Sequence, residues 1–139
     1  MPSFTAYTDG GARGNPGRAG WGVLIQDEAG ETVATLCGAI GLATNNVAEY
    51  QGLLAALRWC VEQGATSARV RSDSLLLVQQ MRGVYKVKNA DLKRLHGQAL
   101  LLAHRIGRVS YEHVPREQNT DADRLANHAM DEAEAAGSS

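Results

Sequence analysis

Four acidic residues are spread along the chain, each beside small residues where one element of secondary structure is expected to meet the next. They are Asp9, Glu49, Asp73 and Asp123. In one cleft their carboxylates would repel one another strongly unless a cation lay between them. Mg²⁺ takes oxygen ligands and keeps open positions for phosphate substrates. Two such ions ~4 Å apart would hold the attacking water and the leaving oxygen in phosphodiester hydrolysis.

Each acid also has an ordinary structural explanation when it is taken alone. Asp9 precedes a stretch rich in Gly and Pro, so it could be a turn residue. Glu49 follows Asn46 by three residues, as the partner of a helix N-cap does. The other two could be acids that the helix dipole favours in a first turn, and there Asp121 competes with Asp123.

The elements that must position these acids follow in the order β-β-β-α-β-α-α-β-α. An apolar, alternating segment before Asp9 indicates a strand, and the glycine-rich stretch after it is predicted to be a flexible loop. Asn46 and Asn89 indicate helix starts, and Gly64 indicates a helix end. The predicted strands cover 3–9, 20–27, 32–42, 67–72 and 108–114; the helices cover 46–63, 74–82, 90–106 and the segment from Thr120.

We therefore expect an α/β fold with a five-stranded mixed sheet, an antiparallel meander plus parallel strands, flanked by helices. In open sheets of this kind, sites form off the carboxyl ends of the strands. If the strands that lead to Asp9 and Asp73 are parallel neighbours, the two carboxylates meet.

Length and composition predict one domain with a short tail. The chain has 139 residues, of which 1–131 are expected to form the domain and 132–139 a frayed helix end, flexible tail or linker start. A net charge of −1 excludes a generally basic nucleic-acid-coating protein, but not a local basic patch. Cys37 and Cys60 are expected to be buried, reduced thiols. Without a signal peptide or membrane span, a soluble, cytoplasmic monomer is expected.

Five motifs in order carry a resemblance to a known family. They are Tyr7-Thr8-Asp9-Gly10-Gly11-Ala12-Arg13-Gly14-Asn15-Pro16-Gly17, Thr44-Asn45-Asn46-Val47-Ala48-Glu49, Ser72-Asp73-Ser74, Val87-Lys88-Asn89-Ala90-Asp91-Leu92 and the stretch from His113 to Asp123. Together they resemble type 1 ribonuclease H of the kind that lacks the basic protrusion. The resemblance implies the ribonuclease H fold and an endoribonuclease acting on the RNA strand of RNA–DNA hybrids by a two-metal-ion mechanism.

The same resemblance implies roles for individual residues. The metal ligands, for two Mg²⁺ or Mn²⁺ ions, are Asp9, Glu49, Asp73 and Asp123, with Asp123 preferred over Asp121. The substrate contacts are Gly10, Ala12 and Asn15 at the RNA strand, Asn45 and Asn46 at the minor groove, and Thr44 at a DNA phosphate. An RNA–DNA hybrid has a wide, shallow minor groove with 2′-hydroxyl groups, which short amides and bare backbone can reach.

Two departures from the family pattern are visible. The basic, Trp-rich insertion is reduced to residues 82–87, which leaves Lys86 and Lys88 as substrate contacts. The loop after the last strand lacks the catalytic His of many members, and Arg116 is its only strong hydrogen-bond donor, so Arg116 is assigned an assisting role. His113 is expected to be a strand residue packed at the end of the sheet.

Two alternatives remain open. The chain could be a non-catalytic or appended domain of a larger protein that binds hybrid or double-stranded RNA. It could also be a nuclease of the same fold acting on other substrates. The metal-activated water of the leading hypothesis predicts 5′-phosphate and 3′-hydroxyl products, because the 2′-OH serves in recognition and is not the nucleophile.

Overall fold

The computed structural model describes residues 2–137, which form one mixed sheet with helices on both faces. The strands are β1 (Ser3–Gly14), β2 (Gly17–Gln26), β3 (Thr32–Ala43), β4 (Ser67–Ser72) and β5 (Arg108–His113). The helices are α1 (Asn45–Glu62), α2 (Leu75–Met81), α3 (Ala90–Ile106) and α4 (Thr120–Gly137), with a turn of 3₁₀ helix at Arg116–Gln118.

The strand order in the sheet is β3-β2-β1-β4-β5. Strands β1, β2 and β3 form the antiparallel meander, and β4 lies parallel to both β1 and β5. The predicted architecture and element order are confirmed. The parallel pairing of β1 with β4, on which the meeting of Asp9 and Asp73 depended, is confirmed as well.

The glycine-rich stretch after Asp9 is not a loop, and this prediction was wrong. Strand β1 continues to Gly14 and pairs with β2 as far as Gly17, so Asp9 lies inside a hairpin arm opposite Gly22. Pairing with β2 gives the backbone N–H and C=O groups of this stretch their hydrogen-bond partners. The low strand propensity of glycine does not predict this pairing. Its lack of side chains has a packing role: a Cβ at Gly10 would lie 2.4 Å from the carbonyl carbon of Ala48 in α1.

Helix α1 starts one residue earlier than predicted. Thr44 is its N-cap, with Thr44 Oγ1 accepting from the Val47 N–H at 3.2 Å. The prediction that Asn46 caps the helix was therefore wrong, and the alternative in which Glu49 is the partner of that cap is excluded with it. The apolar side of α1 packs with α3 and α2 in the main core, whose largest buried members include Tyr50, Leu53, Leu54, Leu57 and Leu95.

Helix α4 covers the other face of the sheet at very close range. Cβ atoms at Gly20 and Gly22 of β2 would lie within 3 Å of α4 backbone atoms. The facing side of α4 is alanine-rich, with Ala122, Ala126 and Ala129 all fully buried. Small residues on both elements let helix and strand approach closely, which sets the position of Asp123 in the first turn of α4.

Residues 132–137 continue helix α4, and residues 138–139 of the predicted tail lie outside the described part of the chain. Arg13, at the end of β1, forms ion pairs with Asp131 and, at 2.9 Å, with Glu134. The helix end is thereby attached to the hairpin. The division of the chain at residue 131 stays a prediction.

The two cysteines differ in environment. Cys60 is buried in α1 as predicted, whereas Cys37 is exposed on the edge strand β3, so the prediction of a buried Cys37 was wrong. Strand β3 has a neighbour on one side only, and its side chains alternate between partly buried and exposed. Among residues 2–137, no helix is both long and apolar enough to cross a membrane.

Candidate active site

All four predicted acids line one open cleft of about 680 Å³. They arrive from four different elements: Asp9 from β1, Glu49 from α1, Asp73 from the end of β4 and Asp123 from α4. The other lining residues include the backbone of Gly10 to Ala12, the amides Asn45 and Asn46, and His113 and Arg116. A polar cleft of this kind suits an extended, charged substrate better than a small apolar one.

The register of the sheet brings Asp9 and Asp73 together. The parallel pairing of β1 with β4 ends at Thr8 opposite Ser72, so each acid is the residue that follows the last paired one. Beyond that point β4 stops, while β1 continues against β2 alone. The two carboxylates therefore lie side by side where the sheet opens.

Glu49 reaches the site because α1 lies almost directly on β1. The contact at Gly10 is with the backbone of Ala48 and Glu49, and a Cβ at Gly52 would lie 3.0 Å from the Asp9 carbonyl oxygen. The Ser74 hydroxyl lies close enough to the Glu49 carboxylate to oppose the rise in its pKa. A larger residue at position 10 or 52 would move Glu49 away from Asp9.

Asn119 joins the elements of the site and was missed as a functional residue in the sequence. It is 1% exposed, its side-chain Nδ2 donates to the Thr8 carbonyl at 2.9 Å, and its backbone carbonyl accepts from the Asp123 N–H at 3.0 Å. Its side chain also opposes the rise in the pKa of Asp73. The sequence signal was a polar residue just before a helix, which is too common to be informative.

The competition between Asp121 and Asp123 is resolved by position. Asp123 lines the cleft, whereas Asp121 is exposed and pairs with Arg124 at 3.2 Å. Both residues lie in the first turn of α4. Only the packing of α4 against β2 decides which of them faces the other acids.

Burial and mutual repulsion raise the pKa values of Asp9, Glu49 and Asp73. Burial, the charge of Asp73 and a hydrogen bond with Asp123 raise the pKa of Asp9 to about 8. Burial, with a smaller effect of Asp73, raises the pKa of Glu49 to about 7, against the lowering effect of the Ser74 hydroxyl. Burial also raises the pKa of Asp73, although Arg116 and Asn119 oppose the change. Full ionisation of these acids would therefore place more negative charge in the site than it can stabilise without a cation.

The donor chemistry fits Mg²⁺ or Mn²⁺, although the protein alone does not form a complete cage. In the described part of the chain, no three His, Cys, Asp or Glu side chains form a ready-made metal cage. Mg²⁺ is commonly held by one or two carboxylates together with waters and substrate phosphates, and rarely by an all-protein cage. Carboxylates with raised pKa values beside an open cleft match that kind of site.

The predicted substrate contacts fall into three groups. Gly10, Ala12, Asn45 and Asn46 line the cleft. Asn15 and Thr44 lie beside it: Asn15 Oδ1 accepts from the Asn45 N–H at 3.1 Å, and Thr44 caps α1. Lys86 and Lys88 are exposed on the connector after α2, outside the cleft lining.

Asn45 has a second role in organising the cleft. Its Oδ1 accepts from the Ala12 N–H at 2.8 Å, which attaches the start of α1 to the hairpin. Because the oxygen is used in this way, the amide nitrogen is the group of Asn45 that remains for a substrate acceptor.

Arg116 and His113 lie at the rim of the cleft. The Arg116 side chain is 81% exposed and 3.9 Å from the Asp123 carboxylate. His113 is exposed, with Nε2 at 3.2 Å from the Asp73 carbonyl oxygen. His113 is the last residue of β5, so the prediction that it is a strand residue is confirmed. The prediction that it packs there was wrong, because its side chain is exposed and its ring turns to the loop after β4.

Comparison with known proteins gives consistent results. Residues 7–129 match the family model described as reverse transcriptase-like. The ribonuclease H of Chromohalobacter salexigens is 34% identical over 98% of this chain and 89% of its own length. A solved structure of LC11-RNase H1 in complex with RNA/DNA hybrid is 45% identical, with a TM-score of 0.88 over 94% of this chain and 98% of the other.

A longer relative is more similar in sequence. The bifunctional protein Rv2228c of Mycobacterium tuberculosis is 56% identical over 90% of this chain, which spans only 35% of that protein. The solved N-terminal RNase H domain of Rv2228c, a fusion with maltose-binding protein, is 49% identical, with a TM-score of 0.95 and 99% of each chain covered.

Proposed function

The chain belongs to the ribonuclease H family, and from this premise we propose that it is an endoribonuclease that hydrolyses the RNA strand of RNA–DNA hybrids. The observation that carries the proposal is the convergence of four carboxylates from four elements on one open cleft. The hybrid complex of LC11-RNase H1 supports the choice of substrate.

The carboxylates of Asp9, Glu49, Asp73 and Asp123 would hold two Mg²⁺ or Mn²⁺ ions. Such ions, when bound, activate a water for attack on phosphorus and stabilise the leaving oxygen. Attack by water predicts 5′-phosphate and 3′-hydroxyl ends, since the 2′-OH takes no part in bond making.

The chain's own residues supply binding and orientation. Backbone groups from Gly10 to Ala12 and the amides of Asn45 and Asn46 line the cleft, and the Ala12–Asn45 hydrogen bond joins the two groups. From there they can reach minor-groove edges and 2′-hydroxyl groups. Arg116 lines the same cleft beside Asp123 and can donate to a phosphate oxygen as charge develops there. Asn119 keeps the backbone of β1 and the start of α4 at a constant separation.

Cleavage of three labelled duplexes (RNA–DNA hybrid, double-stranded RNA and duplex DNA), with divalent metal and with chelator, tests the proposal. We expect metal-dependent cleavage of the hybrid only. Asp73→Asn should abolish it, whereas Asp121→Asn, the matched control on the exposed side of α4, should retain it. Cyclic 2′,3′-phosphate ends, or full activity of Asp73→Asn, would contradict the mechanism.

A second possibility follows from the length of Rv2228c, of which the chain spans about a third. The same fold could serve as an appended domain that binds hybrid or double-stranded RNA within a larger protein. Hybrid binding without cleavage, in the presence of Mg²⁺ and of Mn²⁺, would favour this alternative. Monomeric state and cytoplasmic location stay proposals.

A further inference from the structure

The connector between α2 and α3 carries the two lysines assigned to substrate, yet it has no regular secondary structure. Residues 83–86 and 88–89 are exposed, and Val87 is the residue of this segment that packs against the core. Two backbone amides, those of Val84 and Tyr85, donate to the Gln79 carbonyl at 2.9 and 3.1 Å. These bonds attach the start of the connector to the end of α2 but leave its lysine-bearing half to other contacts.

Gln80, a buried residue of α2, contacts the lysine-bearing half of the connector. It is 5% exposed, and its Nε2 donates to the Lys86 carbonyl at 3.4 Å. Its Oε1 accepts from the Tyr50 hydroxyl at 2.7 Å. Its backbone carbonyl accepts from His96 Nε2 of α3 at 3.2 Å. One buried residue thus joins α1, α3 and the connector.

Tyr50 connects this hydrogen-bond network to the acid cluster of the cleft. Tyr50 is buried and directly follows Glu49, one of the four acids of the cleft. A path of two hydrogen bonds therefore runs from the residue beside Glu49, through the Gln80 amide, to the backbone of Lys86. A buried amide and a buried hydroxyl pay a desolvation penalty if either loses its partner, so the network favours one placement of the connector.

We propose that Gln80 is a positioning residue that holds Lys86 and Lys88 at a defined distance from the acid cluster and so sets the strength of hybrid binding. The inference rests on the proposed function. Gln80 touches neither substrate nor acids; it acts through the connector. A flexible connector would have to be ordered when substrate binds, and this ordering would weaken binding.

The first test is hydrogen exchange of the metal-free protein, which does not depend on activity. In Gln80→Leu, we expect the amides of residues 84–88 to exchange faster than in wild type by more than the change in global stability explains. The control is Ile25→Val in β2, a buried substitution of modest cost that is remote from the connector. Equal exchange of residues 84–88 in the two variants overturns the proposal, whatever the activity.

The second test is steady-state cleavage of a short hybrid well below the melting temperature. We expect Gln80→Leu to raise KM about fivefold, the loss associated with one hydrogen bond, with kcat nearly unchanged. Tyr50→Phe, which retains the amide bond to the Lys86 carbonyl, should raise KM less. In a Lys86→Ala background, Gln80→Leu should have little further effect, because both changes act on the same contact. If the effects of Lys86→Ala and Gln80→Leu on KM are fully additive, or if Gln80→Leu changes kcat alone, the proposal is overturned.

The failures of the two proposals are distinguishable. If wild type cleaves no hybrid, the proposed function fails, and the exchange data still decide whether Gln80 orders the connector. If wild type cleaves hybrid but Gln80→Leu keeps a normal KM, positioning by Gln80 fails while the proposed function stands.

Discussion

Replacing Asp9 by Asn should stabilise the metal-free protein while abolishing cleavage. Asn keeps an oxygen to accept from the Gly10 N–H and an N–H to donate toward Asp123, so the hydrogen bonds of the protonated acid can be retained. What the substitution removes is a buried charge beside Asp73. Activity should be lost because Asn is a much weaker ligand for a hard cation.

The size of the stabilisation follows from the pKa of Asp9, which rises from 3.8 to about 8 on folding. Each pKa unit between the folded and unfolded states is worth about 1.4 kcal/mol. Water and counter-ions enter the open cleft and screen the repulsion, so we expect a gain of about 2 kcal/mol at pH 8. For a chain of this length that corresponds to a Tm increase of about 6–8 °C.

The sign of the pH dependence follows from the same shift. Between pH 4 and 8 the folded protein keeps a proton on Asp9 that the unfolded chain has lost, so unfolding releases a proton. Stability in chelator should therefore fall as pH rises through this window and level off above pH 8. Glu49, with its pKa raised to about 7, should add to the fall in wild type and in Asp9→Asn.

Thermal unfolding in chelator between pH 4 and 9 measures both effects. Wild type should regain stability when Mg²⁺ is added, because a ligand that binds only the folded state stabilises it, and Asp9→Asn should gain less. The control is Asp121→Asn, on the exposed side of α4. If Asp9→Asn melts below wild type at pH 8 in chelator, or keeps the wild-type pH slope, then burial and the neighbouring charge of Asp73 do not raise the pKa of Asp9.

Three further predictions concern the rim, the helix contact and the charge of the protein. Arg116→Ala should lower kcat about tenfold, the value of a charged hydrogen bond, and His113→Ala should lower it less. If His113→Ala has the larger effect on kcat in steady-state assays, His113 and not Arg116 assists catalysis. Gly22→Ala should cost about 1–3 kcal/mol and reduce activity, because its Cβ would lie 2.5 Å from the Ala122 carbonyl oxygen; Gly97→Ala, with open space around it, is the control in denaturant unfolding. Hybrid binding by a catalytically inactive variant should weaken with salt at a log–log slope of about −3 to −5, and a slope near −8 would reveal a basic surface not recognised here.

Much of the fold was readable from the sequence because its signals are local. Helix α3 was predicted with the bounds it has, since Asn89 is its cap and the apolar period is regular. Strand β4 was likewise predicted as observed. The four acids were selected because acids next to small residues at element ends are the residues a topology can bring together. The meeting of Asp9 and Asp73 needed only the order of the elements and the parallel pairing of β1 with β4, whereas Glu49 and Asp123 join them through the packing of α1 and α4 on the sheet.

What only the tertiary structure decided depends on contacts between residues far apart in sequence. The stretch after Asp9 has the composition of a loop, yet pairing with β2 and the close approach of α1 make it a strand. Cys37 has the surroundings of a buried residue, yet it lies exposed on an edge strand. Asp121 and Asp123 differ only in which side of α4 they occupy. In the sequence Gln80 resembles any surface glutamine, and only the structure shows its hydrogen bond with Tyr50. Local propensity carries no information about which side of an element another will cover, because that is decided by packing across the whole chain.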